Sequence, residues 1–334
     1  MNFQRMQKIE EYQIYLDRAF TAAKKNAARL KQKKPKLKGS EARGKHAQYM
    51  EIERCKEVID NLTTNLRSVH EKFPGLDALP PFYNTLARIT MRYNYTKKAL
   101  GAIHWAEKQC REVGKKIIID VKRARSFEEI QKIRKQFYGR ISSIMKQIKD
   151  AFAIIEESRR VMKTWPDIKT EVRTIAIGGY PNVGKSSLLK ALTTAKPDIQ
   201  AYAFTTKSLN IGYMEQEPKV YQIVDTPGTF DRDIEKMNNV EKQAYAVLQH
   251  IAEKIVYIFD PSESCGYEVE QQLLLAKRIE NNFKKPIFFI ANKVDLDTAK
   301  LQLIKKQYPE VIELSLKTKK GIEEVKKRIT KELK

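Results

Sequence analysis

Residues Gly179-Tyr180-Pro181-Asn182-Val183-Gly184-Lys185-Ser186 fit the pattern G-x-x-x-x-G-K-[ST], the spacing of a phosphate-binding loop. The apolar run Thr174 to Ile177 precedes the octet, and Ser187 to Leu192 follows it with helical spacing. The loop therefore falls between a buried strand and a helix, the context in which the pattern carries meaning. Glycines let the backbone approach closely, so that the N–H groups from Asn182 through Ser187, backed by the helix N-terminus, can cradle phosphates. Lys185 would reach the β- and γ-phosphates, and the Ser186 hydroxyl would ligate Mg²⁺.

Three further stretches supply the rest of a nucleotide site. Val220 to Val224 leads into Asp225-Thr226-Pro227-Gly228; Asp225 can hold a Mg²⁺-bound water, and the Gly228 N–H can meet the γ-phosphate. Ile287 to Ala291 leads into Asn292-Lys293-Val294-Asp295. A carboxylate at Asp295 can accept two hydrogens that guanine offers and adenine does not, so it would select GTP over ATP. Lys293 would lie over the base plane, and Asn292 would bond both the base and the phosphate loop. Ser315-Leu316-Lys317 would present an N–H to the guanine oxygen, with Leu316 bulkier than the usual alanine. Between the phosphate loop and the next strand, Phe204-Thr205-Thr206 offers a threonine to complete the Mg²⁺ shell, and Thr206 is the choice over Thr205.

These residues need a rigid frame, and the second half of the chain predicts one. Candidate strands are Thr174 to Ile177, Ser208 to Met214, Val220 to Val224, Ile255 to Phe259, Pro286 to Ile290 and Val311 to Leu314. Several are continuous apolar runs, as expected of parallel strands covered on both faces. Helical patterns between most of them imply an α/β, doubly wound, mostly parallel six-stranded sheet with its chemistry at the carboxyl ends of the strands. The first half reads as all-α. Residues 7 to 30 predict an amphipathic helix and Tyr49 to Phe73 a second; a third starts at Pro80-Pro81, and another runs from Lys97 toward Ile119. The longest is expected from Phe127 to about Val161, on apolar residues spaced by three and four. Trp165-Pro166 closes this half, so the expected domains are 1–170 and 171–334.

Charge separates the halves. Residues 1–170 hold 38 Lys and Arg against 19 Asp and Glu, while residues 171–334 hold 26 against 22. A half with net charge +19 calls for a polyanion, or else carries a solubilising surface. Nucleic acid is favoured over an anionic membrane, because no apolar run approaches 18 residues and the Met1 region has no signal-peptide pattern. The tract from Leu30 to Lys45, with seven Lys and Arg among Pro35, Gly39 and Gly44, reads either as a mobile loop that follows a phosphate backbone or as a solvated linker. Arg88, Arg92, Tyr93, Tyr95, Lys97 and Lys98 mix aromatic and basic groups; they suit either stacking on exposed bases or packing in a helical bundle. Cys55, Cys110 and Cys265 are widely spaced and odd in number, and no histidine pairing suggests a metal cluster, which points to a reducing, cytoplasmic setting.

The phosphate loop, Phe204-Thr205-Thr206 and Asp225-Thr226-Pro227-Gly228 resemble the Obg-type translation-factor GTPases. Asp260-Pro261-Ser262-Glu263-Ser264-Cys265-Gly266-Tyr267 and Phe73-Pro74-Gly75-Leu76-Asp77-Ala78-Leu79-Pro80-Pro81-Phe82-Tyr83 narrow the resemblance to the Nog group of nucleolar GTP-binding proteins. Tyr95 to Gly101 and Trp165 to Thr174 do the same. The resemblance covers roughly residues 1 to 330. It implies a monomeric GTPase of large-ribosomal-subunit assembly whose N-terminal bundle docks on rRNA, in a form as short as the archaeal members. Ala203 stands where proline is usual, and residues 31–45 differ from the family's pattern. An RNA-binding scaffold with incidental hydrolysis, or a GTPase acting on tRNA or in signalling, is the alternative. Ras-like enzymes place a water-orienting Gln after the D-x-x-G glycine; here Thr229 and Phe230 follow Gly228. Asn182 resembles the position at which cation-dependent GTPases hold K⁺, or else it only shapes the loop.

Overall fold

The computed structural model describes residues 3–32, 40–193, 198–199, 210–216, 219–226, 237–296 and 298–331. The chain divides into two compact units. One comprises residues 1–3, 77–91 and 164–334; the other comprises residues 4–76 and 92–163.

The second of these is helical. It contains α1 (Tyr12–Gln32), α2 (Ser40–Lys72), α4 (Tyr93–Arg123), α5 (Phe127–Gln147) and α6 (Lys149–Met162). Its core is a layer of fully buried side chains that includes Leu62, Leu66, Ile103, Ile117, Phe137 and Ile141. The expected single helix from Phe127 to Val161 is two. At Ile148 the backbone leaves the helical region (φ −101°, ψ 11°) and α6 restarts one residue later. Ile148 is itself buried, so the apolar spacing continues across the break and periodicity alone does not register it. The start of α5 follows from its sequence: the Ser126 hydroxyl accepts from the Glu129 N–H, and Glu129 accepts in return from the Arg125 N–H, an N-terminal cap.

Part of the basic tract expected as a loop is helical. α1 extends to Gln32 and α2 begins at Ser40, with Glu41 and Lys45 paired one turn apart at 2.7 Å. Residues 33–39 lie outside the described residues. The mixed aromatic and basic stretch is sorted by helical phase: Tyr93 is buried, while Tyr95 is 55% exposed with the Arg92 guanidinium 4.3 Å from its ring centre.

The other unit is the α/β one. Its sheet has the order β2-β3-β4-β1-β5-β6-β7. The six expected strands are present as β1 (Thr174–Gly178), β3 (Asn210–Gln216), β4 (Lys219–Asp225), β5 (Ala252–Phe259), β6 (Ile287–Ala291) and β7 (Ile312–Glu313). A two-residue strand, β2 (Asp198–Ile199), is added at one edge. β2, β3 and β4 pair antiparallel; β4, β1, β5, β6 and β7 are parallel neighbours. β1 is buried along its whole length, in keeping with its TIAIG sequence and helices on both faces. Register sets Ile177 beside Asp225 and Val256, and Phe259 beside Ala291. The strand ends that carry the motifs are thereby brought level.

The helices of this unit are α3 (Pro81–Thr90), α7 (Lys185–Leu192), α8 (Asn239–Ala246), α9 (Val269–Phe283), α10 (Leu301–Gln307) and α11 (Ile322–Lys331). The division expected at residue 170 is therefore not where packing divides the chain. α3 belongs with the sheet: its Tyr83 hydroxyl donates to the Pro166 carbonyl and accepts from the Ile168 N–H, and Trp165 donates to Thr90. These aromatic anchors are buried against Phe3, a long-range contact that no local pattern encodes. The charge asymmetry survives the redrawn boundary, since the helical unit holds 36 Lys and Arg against 17 Asp and Glu.

Candidate functional site: a phosphate loop and a base-recognition loop

The phosphate loop leaves β1 through two residues that need left-handed backbone. Gly179 has φ +135°, and a Cβ there would stand 2.6 Å from the Ile258 carbonyl oxygen. Gly184 has φ +107°, and a Cβ there would stand 2.3 Å from Asn292 Nδ2. Asn182 also sits at φ +63°, in the region that asparagine tolerates better than most residues. α7 begins directly after Gly184, which aims its N-terminal N–H groups across the loop.

Lys185 is 8% exposed, and its ammonium donates to the Tyr180 carbonyl at 2.6 Å. Burial pushes its pKa down to about 8, with the Asp225 carboxylate opposing the shift. A cation held dry beside a ring of backbone donors is built to meet an anion. Val183 turns inward and is fully buried, while Ser187 is exposed on the first turn of α7.

Ser186 Oγ donates to Asp225 Oδ2 at 2.5 Å, and Asn210 Nδ2 donates to the same oxygen at 3.1 Å. One hydroxyl and one carboxylate at the mouth of a phosphate loop are the hard oxygen donors that Mg²⁺ shares with substrate phosphates, so the residues present fit that ion. Thr206, Gly228, Thr229 and Phe230 lie outside the described residues.

On the base side, Asn292 Nδ2 donates to the Val183 carbonyl at 2.8 Å, and the Leu316 N–H reaches Asn292 Oδ1 at 3.4 Å. Asn292 thus ties the phosphate loop to Ser315-Leu316-Lys317. The expected contact to the phosphate loop is present, whereas the Leu316 N–H is turned toward Asn292. The Ser315 hydroxyl donates to Asp295 Oδ1 at 2.6 Å, and this bond holds the exposed Asp295 carboxyl below the ordinary aspartate range. The carboxylate keeps acceptor capacity for two further donors. Lys317 is exposed. Lys293 has φ +65°, and its ammonium donates to Asp260 Oδ2 at 2.8 Å and Ser264 Oγ at 2.9 Å. In the sequence Asp260, Ser264 and Tyr267 stand out only as family markers, and Asn210 and Gln272 carry no mark of their roles. The signal available for Asp260 was its place at the carboxyl end of a central strand.

Residues 3–169 match the NOG1 N-terminal helical domain, and residues 174–293 match the 50S ribosome-binding GTPase domain. The chain belongs to the NOG1 family. It carries that family's N-terminal helical domain followed by a GTPase domain that binds guanine nucleotide. Over 250 residues it is 38% identical to the uncharacterized protein MJ1408 of Methanocaldococcus jannaschii, covering 75% of this chain and 70% of that one. It is 31% identical over 293 residues to nucleolar GTP-binding protein 1 of Saccharomyces cerevisiae, covering 84% of this chain and 45% of the yeast protein. A solved structure of a nucleolar GTP-binding protein 1 from Plasmodium falciparum shares 33% identity over half of this chain and 88% of that one, at a TM-score of 0.43. The chain thus spans less than half the length of the yeast NOG1 protein it matches. No helix among the described residues is long and apolar enough to cross a membrane.

Proposed function

We propose that the chain is a GTP-hydrolysing, Mg²⁺-dependent assembly factor of the large ribosomal subunit, working as a monomer in the cytoplasm and holding rRNA through its helical unit. The observation that carries this reading is a phosphate loop, a base-recognition loop and a strongly basic helical unit in one chain. Lys185 and the N–H groups of residues 182–187 hold the phosphates; Asp295, Lys293, Asn292 and the Ser315–Lys317 turn hold the base. Ser186, Asp225 and Thr206 would hold Mg²⁺, which neutralises charge on the β- and γ-phosphates. The Gly228 N–H would meet the γ-phosphate.

Support for RNA on the helical unit comes from its surface. A cleft of about 740 Å³ runs between the start of α2 and the turn joining α4 to α5, lined by Arg43, Lys122, Arg125 and the Lys45–Glu41 pair. Phe127, at the same cleft, is 59% exposed, and exposed Tyr95 carries Arg92 on its ring. Cations beside unshielded aromatic rings suit phosphates and unstacked bases. The two-unit chain is expected to bind structured RNA with an affinity that falls roughly 10³-fold between about 50 and 200 mM salt. Lys122→Ala and Arg125→Ala should each flatten the salt slope by about one. A flat response in the wild type would show that the charge only solubilises.

Asn182 would hold K⁺ beside the β- and γ-phosphates, adding positive charge where other GTPases use an arginine. Hydrolysis by the isolated protein is expected on the order of 10⁻³ s⁻¹, as for unassisted Ras, and faster in K⁺ than in Na⁺ at matched ionic strength. Equal rates in the two salts, for wild type and Asn182→Ala alike, would remove the cation role and leave the GTPase reading intact.

A further inference from the structure

Asp260 follows the last residue of β5 and is fully buried. Its carboxylate accepts from the Ser262 N–H (3.1 Å), Ser262 Oγ (2.5 Å), Ser264 Oγ (3.0 Å), the Cys265 N–H (2.9 Å) and Lys293 Nζ (2.8 Å). Burial alone would raise its pKa, but the bonds from Lys293, Ser262 and Ser264 outweigh that and hold it below the ordinary aspartate range. The group is therefore an ionised carboxylate in a dry site, an arrangement that costs several kcal/mol unless a counter-charge faces it. Lys293 supplies that charge.

The loop that presents this carboxylate is clamped at both ends. Gln272 of α9, also fully buried, accepts from the Asp260 N–H at 2.8 Å and donates to the carbonyls of Asp260 (3.1 Å) and Tyr267 (2.8 Å). At its far end the Tyr267 ring stacks on Tyr180 of the phosphate loop, with ring centres 4.1 Å apart. Closing a turn needs no charge, since neutral Asn or Ser accepts backbone N–H groups as well. The charge is explained by Lys293, whose backbone is held at φ +65°, a conformation that costs a β-unbranched residue on the order of 1 kcal/mol.

We propose that Asp260 is a positioning residue for base recognition: it draws the Lys293 ammonium aside to Asp260 and Ser264, so that the lysine's methylene chain is presented to the base as a fixed apolar surface. The inference rests on the reading of Asn292 to Asp295 as the guanine site. A lysine so held adds contact area without the entropy cost of ordering a long side chain on binding.

Calorimetric titration of the protein with GDP, together with hydrolysis at saturating GTP, tests this. Asp260→Asn should weaken GDP binding about 10- to 100-fold, while the rate at saturation stays within about twofold; because an amide nitrogen cannot accept from the donors around it, the melting temperature without nucleotide should also fall by several degrees. In a cycle with Lys293→Met, the double variant should bind no worse than the weaker single one, because both changes break one interaction. Ser264→Ala, which removes the exposed hydroxyl bridging Asp260 and Lys293, should cost about 3- to 10-fold, and it decides the matter if Asp260→Asn fails to fold. GDP affinity within threefold of wild type in Asp260→Asn, additive effects in the cycle, or unchanged binding by Ser264→Ala would each overturn the proposal. Wild-type protein that fails to prefer guanine over adenine nucleotides would instead overturn the site reading on which it stands.

Discussion

Gly184→Ala is expected to abolish measurable guanine-nucleotide binding, a loss of at least about 10²-fold, because it attacks the phosphate loop and the base loop together. The new methyl carbon would stand 2.3 Å from Asn292 Nδ2 on a backbone at φ +107°. Asn292 is short, 3% exposed and fixed between the Val183 carbonyl and the Leu316 N–H, so it has no room to swing aside. Either the phosphate loop opens or Asn292 leaves it. The backbone strain costs about 1–3 kcal/mol, and the broken buried hydrogen bond a similar amount, enough to lower the melting temperature by several degrees. Gly139→Ala provides the contrast. It sits within α5 with nothing within 4 Å of a new Cβ, and it should stabilise the protein by up to about 1 kcal/mol. Thermal melting and GDP titration of both variants check this; Gly184→Ala protein with near-wild-type affinity would show that the two loops are not packed as described.

Asp295→Asn should lower GTP affinity on the order of 10²- to 10³-fold, with little change in melting temperature because the side chain is exposed. The carboxylate, whose pKa the Ser315 hydroxyl lowers, can accept two guanine hydrogens, and hydrogen bonds to a charged acceptor are stronger than those to a neutral one. An amide turns one acceptor into a donor facing a donor. For the same reason the variant should gain affinity for xanthosine nucleotides, whose base carries a carbonyl where guanine carries an amine. Competition titrations with GTP, XTP and ATP read all three terms at once. Retained guanine preference in the variant would take base recognition away from Asp295.

The portion of the site that was legible in the sequence is the portion whose chemistry fixes residue type at fixed spacing. Gly179, Gly184, Lys185 and Ser186 announce themselves because left-handed backbone, a phosphate-facing cation and a hydroxyl leave few substitutes. The strands were legible for a related reason: β1 and residues 255–259 of β5 are apolar runs. Three features were not. Asp260 acts through a contact 33 residues away in sequence, and an aspartate at a strand end carries no local mark of burial. The break at Ile148 leaves apolar spacing untouched while interrupting the hydrogen-bond ladder. α3 reads as one more helix of the N-terminal half, yet Tyr83 and Trp165 bind it to the unit that holds the sheet. Pattern reports which face of a helix is apolar and not which core receives it.

The most direct test of the proposed role is cosedimentation of the protein with large-ribosomal-subunit precursors in the presence of GTP, GDP and a non-hydrolysable GTP analogue. Binding that is strong with one nucleotide state and several-fold weaker with the other, with Asp295→Asn unable to respond to guanine nucleotides, is the predicted result. Equal pelleting in all three states would contradict a nucleotide-controlled assembly factor and favour an RNA-binding scaffold whose hydrolysis is incidental.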